Sequence, residues 1–129
     1  MARGKLVPFF IAGVWVNASE FLRNQLLLRN YWTAHFEGLG NPFPSEPVNA
    51  AVWGVWGFVY AGMVLVLSGR FGFLRAVAVS WFAGFVLMWL AMWNLTVLPW
   101  GILPYAVPLS LLETAGAVFI CRRFSPVTF

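Results

Sequence analysis

Two glutamates lie within stretches whose other residues are almost all apolar. Glu20 falls in the stretch at about 6–28 and Glu113 in the one at about 99–121, each near the roughly 20 residues that a helix needs to cross a bilayer. At that depth a carboxylate costs roughly 3 kcal/mol or more unless an ion pair, a hydrogen bond, water or a proton relieves it. Each glutamate is therefore a candidate functional residue.

The polar residues around Glu20 recur at helical spacing. On a helix, Asn17, Glu20 and Asn24 fall within about 60° of one another. Arg23 follows Glu20 at the i+3 spacing that permits an ion pair. The first apolar stretch therefore predicts a helix with one polar face.

A second polar face is predicted around Glu113. Ser110 and Glu113 share one side of the helix that the last apolar stretch would form, and a neighbouring helix has to cover this side. We expect the two polar faces to meet, and we expect Asn94, at the end of the third apolar stretch, to join them. The predicted network is Asn17, Glu20, Arg23, Asn24, Asn94, Ser110 and Glu113.

Two interpretations of this network stay open. In the functional one, the network binds a small solute or a proton, because ionisable groups inside membranes often mark substrate or proton pathways. In the structural one, Glu20 and Arg23 form an ion pair. Glu113 is then a hydrogen-bonded or protonated acid that fixes the register of the helices.

The composition indicates a membrane protein. Of 129 residues, 61% are hydrophobic and only 9% are charged, with a mean hydropathy of +0.80, whereas charged residues make up about 25% of a typical soluble chain. Apolar stretches of spanning length lie at about 6–28, 48–69, 74–94 and 99–121. The prediction is an all-α transmembrane bundle of four helices, a single integral membrane domain over residues 1–129.

The basic residues predict the orientation of the bundle. Arg29 follows the first apolar stretch, and no basic residue lies between the third and the fourth. Under the positive-inside rule, the N- and C-termini and the turn between the second and third stretches are cytoplasmic. The basic residues on that side are Arg3, Lys5, Arg70, Arg75, Arg122 and Arg123. Because the chain has no basic run, we expect no nucleic-acid partner.

A cleaved signal peptide is the alternative to the first span. A basic start and an apolar run before the triplet Val16-Asn17-Ala18 are typical of one, with cleavage after Ala18. Cleavage would leave three spans. We favour the uncleaved helix because the apolar pattern resumes at Phe21 and continues through Leu28.

Small residues recur on the second and third apolar stretches. Gly57 and Ala61 fall on one side of the second predicted helix, and Ser80 and Gly84 fall on one side of the third. Lipid supplies little hydrophobic drive between helices, so small residues favour association by letting the backbones approach closely. We expect these two helices to pack through these faces.

Residues 29–48 form the one sizeable connection, and we expect an outer interfacial loop that folds back over the bundle. Its candidate residues are Trp32, His35 and Glu37, and tryptophan commonly anchors a chain at the membrane interface. His35 is the only histidine and Cys121 the only cysteine. We therefore expect no metal site, no other cofactor and no disulfide.

Several motifs are spread along nearly the whole chain. They are Asn17-x-x-Glu20-x-x-Arg23-Asn24, Trp32-x-x-His35, Phe43-Pro44-x-x-Pro47-x-Asn49, Trp53-x-x-Trp56, Asn94-Leu95 and Pro108-Leu109-Ser110-Leu111-Leu112-Glu113. Together they resemble a family of uncharacterised small bacterial four-span integral membrane proteins. The resemblance implies the architecture and a multi-pass location in the bacterial inner membrane, and it implies no mechanism.

Three classes of function remain. The leading class is binding or transport of a small solute or a proton, for which a homo-oligomer is expected because 129 residues enclose little volume. The second is a non-catalytic scaffold or accessory subunit that joins a membrane partner through small-residue helix faces. The third is an enzyme acting on lipid, for which no nucleophile motif or metal site is evident. In each class the lipid bilayer is itself a partner.

Overall fold

The computed structural model describes residues 2–125, and within them all regular secondary structure is helical. The α-helices are α1 (Ala2–Phe21), α2 (Arg29–Gly38), α3 (Pro47–Ser68), α4 (Phe73–Trp81), α5 (Leu87–Asn94) and α6 (Leu103–Phe124). Two π-helical segments extend them, Leu22–Leu27 after α1 and Phe82–Val86 between α4 and α5. A short 3₁₀ turn, Trp100–Ile102, leads into α6.

Four helical segments are long and apolar enough to cross a membrane. They are Gly4–Leu27, Pro47–Ser68, Phe73–Asn94 and Trp100–Phe124, with 24, 22, 22 and 25 residues. At about 1.5 Å per residue, each can cover a hydrocarbon core about 30 Å thick. The prediction of an all-α bundle with four spanning helices is confirmed.

The bundle is organised around α1 and α6. Helix α1 packs against α3 and α6, and α6 also contacts α3 and α4. The main core includes Val16, Val64, Phe85 and Val118, none of which has exposed surface. A smaller apolar cluster closes the end where the first span ends and the fourth begins. It consists of Leu28, Leu98, Ile102 and Ala106.

The outward faces of the four spans are apolar. Phe10, Val59, Leu74 and Leu112, one on each span, are all more than half exposed. In water a continuous surface of this kind would promote association or aggregation. In a bilayer it contacts acyl chains, so the exposed faces fit a protein whose solvent is lipid.

The connection at 29–48 is more ordered than the predicted loop, because ten of its residues form helix α2. Trp32 and Phe36 lie one helical turn apart, and both rings pack against Phe43. This aromatic contact favours the helix over an extended segment. The prolines and glycines of this connection come after Phe36, beyond most of α2.

Helices α1 and α3 approach closely where a glycine faces a side chain. A Cβ atom on Gly57 would overlap the side-chain amide of Asn17, and one on Gly13 would overlap the ring of Phe58. The expected packing between the second and third spans is therefore corrected in part. Gly84 does face α3, where it lies against the ring of Tyr60, but Gly57 faces α1.

This close approach predicts different outcomes for two glycines on α3. Gly57→Ala should lower the free energy of unfolding by about 1–3 kcal/mol, because the new methyl group displaces Asn17. Gly54→Ala is the matched control: no heavy atom lies within 4 Å of its Cβ position, and alanine is the better helix former by about 1 kcal/mol. Unfolding in detergent measures both, and equal losses would contradict the assigned α1–α3 contact.

Candidate functional site

Three charged side chains meet inside the bundle, and we call Glu20, Arg23 and Glu113 the charged triad. Arg23 Nη1 donates a hydrogen bond to Glu113 Oε1 at 2.8 Å, and Arg23 Nη2 donates one to Glu20 Oε2 at 2.5 Å. The residues are 8%, 5% and 1% exposed, respectively. One guanidinium group therefore joins the polar face of the first span to that of the fourth.

The charges of the triad do not balance when both carboxyl groups are ionised, since two carboxylates then share one guanidinium. One oxygen on each acid, Glu20 Oε1 and Glu113 Oε2, is buried without a hydrogen-bond partner. The two carboxyl groups are also brought next to each other, because they bond to the two terminal nitrogens of one guanidinium. A single added proton would neutralise the triad and supply the donor that these oxygens lack.

Both π-helical segments lie at the triad. Arg23 and Asn24 belong to Leu22–Leu27, where the Leu28 amide donates to the Arg23 carbonyl at 2.8 Å in place of a normal α-helical bond. Phe85 belongs to Phe82–Val86, and the Arg23 Cζ atom lies 5.2 Å from the centroid of its ring. Aromatic faces attract guanidinium groups. Because π-helical turns are rare and often occur at functional sites, their convergence supports a functional role for the triad.

The hydrogen-bonded network continues from the triad to helix α2. Asn24 Nδ2 donates to Glu20 Oε2 at 2.8 Å, and Trp32 Nε1 donates to Asn24 Oδ1 at 3.1 Å. Helix α2 is also bonded to the turn after α5, where His35 Nε2 donates to the Thr96 carbonyl oxygen at 2.7 Å. The triad is thus linked through polar side chains to the end of the bundle that α2 covers.

A separate polar group borders the triad on its other side. The Tyr60 hydroxyl lies 2.7 Å from Thr114 Oγ1 and donates to the Ser80 carbonyl at 3.2 Å. Beyond these residues lie apolar side chains such as Val64 on α3 and Val118 on α6, which have no exposed surface. Hydrogen bonds therefore connect the polar interior toward α2, and packed apolar residues close its other side.

The predicted network forms only in part. The structure brings together Glu20, Arg23, Asn24 and Glu113. Asn17 instead donates to the backbone carbonyls of Gly13 at 3.0 Å and Gly54 at 3.4 Å. Ser110 is also separate: it accepts from Trp81 Nε1 at 2.9 Å and donates to the Val107 carbonyl at 3.1 Å.

Asn94 does not join the network, and this finding corrects the sequence prediction. Its side chain is exposed at the end of α5. The prediction placed Asn94 only by its position at the end of the third apolar stretch, which does not determine which way its side chain points. The π-helical segment Phe82–Val86 also fits extra residues into its turn. Residues after this segment are consequently rotated away from the face that they would occupy on an unbroken α-helix.

The candidates on the outer segment have different surroundings. Trp32 is half-buried and joins the triad through Asn24, whereas Glu37 is exposed. His35 bonds to a backbone carbonyl rather than to Glu37. Within residues 2–125, no group of three or more histidine, cysteine or acidic side chains is arranged to hold a metal ion.

Sequence reasoning anticipated the Glu20–Arg23 pair and the meeting of the two polar faces, but it did not specify two contacts of this site. The bond from Arg23 to Glu113 joins residues 90 positions apart, and no local spacing encodes it. The bond from Trp32 to Asn24 spans eight residues. The sequence signal for this bond was that the two residues lie on either side of the end of the first predicted helix. An interfacial anchor was the simpler expectation for a tryptophan there.

Comparison with protein-family models, with curated proteins and with solved structures finds no match to this chain. The function is accordingly inferred from the chemistry of the site, which is the stronger basis even where a fold is familiar.

Proposed function

We propose that this membrane protein binds a proton at the charged triad and carries it across the membrane. The observation that carries the proposal is one buried guanidinium shared by two buried carboxyl groups, each of which keeps an oxygen without a hydrogen-bond partner. The triad is neutral when it holds one proton, and it carries one negative charge when it holds none. Two charge states in one place are the minimum that a proton-linked transporter needs.

The surroundings of the triad support a gated site. The Asn24–Trp32 link gives the triad a polar connection toward α2, and packed side chains such as Val64 and Val118 close the opposite side. A site that is connected to one side of the membrane at a time can exchange protons with each side in turn. Losing the proton would leave unbalanced charge in the interior, which favours rearrangement of the helices around Arg23.

The proposed orientation places α2 on the outer side and the chain termini in the cytoplasm, since most basic residues then face inward. The proposed location is the bacterial inner membrane, as the resemblance of the motifs implies. A homodimer is the proposed working unit, because four spans of this length enclose little volume.

A scaffold or accessory subunit is the second candidate function, and the burial of Glu113 favours it. Only 1% of this residue is exposed, as expected for a polar contact that fixes helix register. A scaffold would use the triad solely to hold the first and fourth spans together. It would bind its membrane partner through exposed apolar faces.

Proton exchange across liposomes separates the two functions. The protein is reconstituted with a pH-sensitive dye inside, a pH step is applied, and the membrane potential is clamped by a potassium ionophore. We expect the wild type to equilibrate pH faster than empty liposomes, and Glu113→Gln to match empty liposomes. Glu37→Gln is the control, because this exposed acid lies outside the triad.

Equal rates for the wild type and Glu113→Gln would rule out proton transport through the triad and leave the scaffold. A rate lost equally in Glu37→Gln would show that the assay senses surface charge and would count against the proposal as well.

A further inference from the structure

Helices α3 and α6 repeat one order of side chains between the triad and the end of the bundle opposite α2. On each helix, three residues at steps of four form a polar, an apolar and a second polar position. They are Tyr60, Val64 and Ser68 on α3, and Thr114, Val118 and Arg122 on α6. Residues four apart lie on the same face of a helix. Each helix therefore carries one apolar position between two polar ones.

Contacts between the two helices show that these positions face each other level by level. The Tyr60 hydroxyl lies 2.7 Å from Thr114 Oγ1, and Arg122 Nη1 donates to the Ser68 carbonyl oxygen at 3.3 Å. The valines between these contacts belong to one buried cluster. The two polar levels are eight residues apart along each helix, which is about 12 Å.

Helix α4 adds a third wall and runs the opposite way. The Ser80 carbonyl accepts from the Tyr60 hydroxyl at 3.2 Å. The carbonyl of Phe71, just before α4, accepts from Arg122 Nη1 at 3.3 Å. Ala76 lies between them and has no exposed surface. We call the apolar level of the three helices the apolar layer, and it consists of Val64, Ala76 and Val118.

Two buried hydroxyl groups lie on opposite sides of the apolar layer. Ser80 is at the level of Tyr60, and Ser68 is at the level of Arg122. Both serines have no exposed surface, and neither Oγ atom has a hydrogen-bond partner within residues 2–125. A buried hydroxyl that stays unbonded is costly, and ordered water commonly satisfies such a group. The two serines therefore indicate where water binds on either side of the layer.

We propose that the apolar layer is the gate between the triad and the end opposite α2, and that water bonded to Ser80 and Ser68 carries the proton across it. A carboxyl group of the triad releases the proton and becomes a carboxylate. Water accepts the proton and passes one on, from the level of Ser80 to that of Ser68. The closed layer stops this transfer because apolar constrictions exclude water. This inference rests on the proposed proton transport and adds where the route closes.

Threonine in the apolar layer tests the gate in the liposome assay of pH equilibration. Threonine has nearly the shape of valine but carries a hydroxyl that can bond to water. We expect V64T/V118T to equilibrate pH about tenfold faster than the wild type or more, since one hydrogen bond changes a rate by about that factor. Val66→Thr is the matched control, because Val66 is on the same helix and 61% exposed. Its rate should change by less than about twofold.

Alanine at the two serines is a second test that folding does not obscure. The hydroxyls removed in S68A/S80A have no partner within the described chain, so this variant should unfold no more easily than the wild type. It should nevertheless equilibrate pH about tenfold more slowly, because the water loses a hydrogen bond on each side of the layer. Ser45→Ala, at an exposed serine, is the control and should keep the wild-type rate.

The outcomes separate this inference from the proposed function. A wild type that depends on Glu113, with unchanged rates in V64T/V118T and S68A/S80A, would overturn the gate and leave proton transport standing. A wild type that matches empty liposomes would overturn both. Adding E113Q to V64T/V118T should return the rate to that of empty liposomes. A remaining leak, or an equal gain in Val66→Thr, would show a route outside the triad and overturn the gate.

Discussion

Arg23→Gln is expected to lower the free energy of unfolding by about 3–5 kcal/mol at neutral pH, the cost of removing one partner from a buried ion pair. Arg23 is ion-paired with both Glu20 and Glu113, so its loss leaves the two acids without a counter-charge. Lowering the pH should recover part of the loss, because protonated carboxyl groups need no counter-charge and the native state then binds more protons than the unfolded state. Unfolding in detergent across pH measures both effects.

Two variants accompany Arg23→Gln. Arg29→Gln removes an exposed arginine of the outer segment and should change stability by less than about 0.5 kcal/mol. The triple variant E20Q/R23Q/E113Q removes all three charges and should be more stable than Arg23→Gln alone, because no charge is left unpaired. A triple variant less stable than Arg23→Gln would show that the charges of the triad do not govern its stability.

Replacing Glu113 should give opposite results with glutamine and with leucine. A glutamine amide can accept from Arg23 and donate to Glu20, as a protonated carboxyl group would, so Glu113→Gln should stay within about 1 kcal/mol of the wild type. Glu113→Leu has a similar volume but no acceptor, so the buried Nη1 group of Arg23 loses its partner while Nη2 keeps its bond to Glu20. We expect a loss of about 3 kcal/mol, measured by the same unfolding experiment.

Equal stability of the glutamine and leucine variants would contradict the hydrogen bonds assigned to Glu113. A large loss in Glu113→Gln alone would show that the folded state requires a negative charge at this position. In that case the triad would be fully ionised in the native protein, and the shared proton would be excluded.

The four spans could be predicted from the sequence because lipid imposes a simple requirement. A helix has to be about 20 residues long and nearly free of charge to cross the bilayer, and length and composition are both visible in a sequence. Helix α2 was missed because its stability comes from contacts between aromatic rings, such as Trp32 with Phe43. Those contacts depend on how the chain folds back after Gly38.

The site was only partly predictable, for a physical reason. Helical periodicity places Glu20, Arg23 and Asn24 on one face, and that placement needs only local geometry. Asn94 was misplaced because the sequence indicated only its position along the third span, and not the direction of its side chain. A π-helical segment changes the periodicity of that span, and sequence does not mark where such a segment forms. The contact between Arg23 and Glu113 depends on how α1 and α6 pack, which only the three-dimensional structure shows.

Infrared spectroscopy of the carboxyl groups tests the shared proton most directly. At neutral pH the wild type should show the carbonyl band of a protonated carboxyl group, and Glu37→Gln should keep it. Both Glu20→Gln and Glu113→Gln should abolish the band, because either change leaves Arg23 with a single ionised partner and no proton to share. A wild type without the band, or a band that survives in either variant, would contradict a proton held jointly by Glu20 and Glu113.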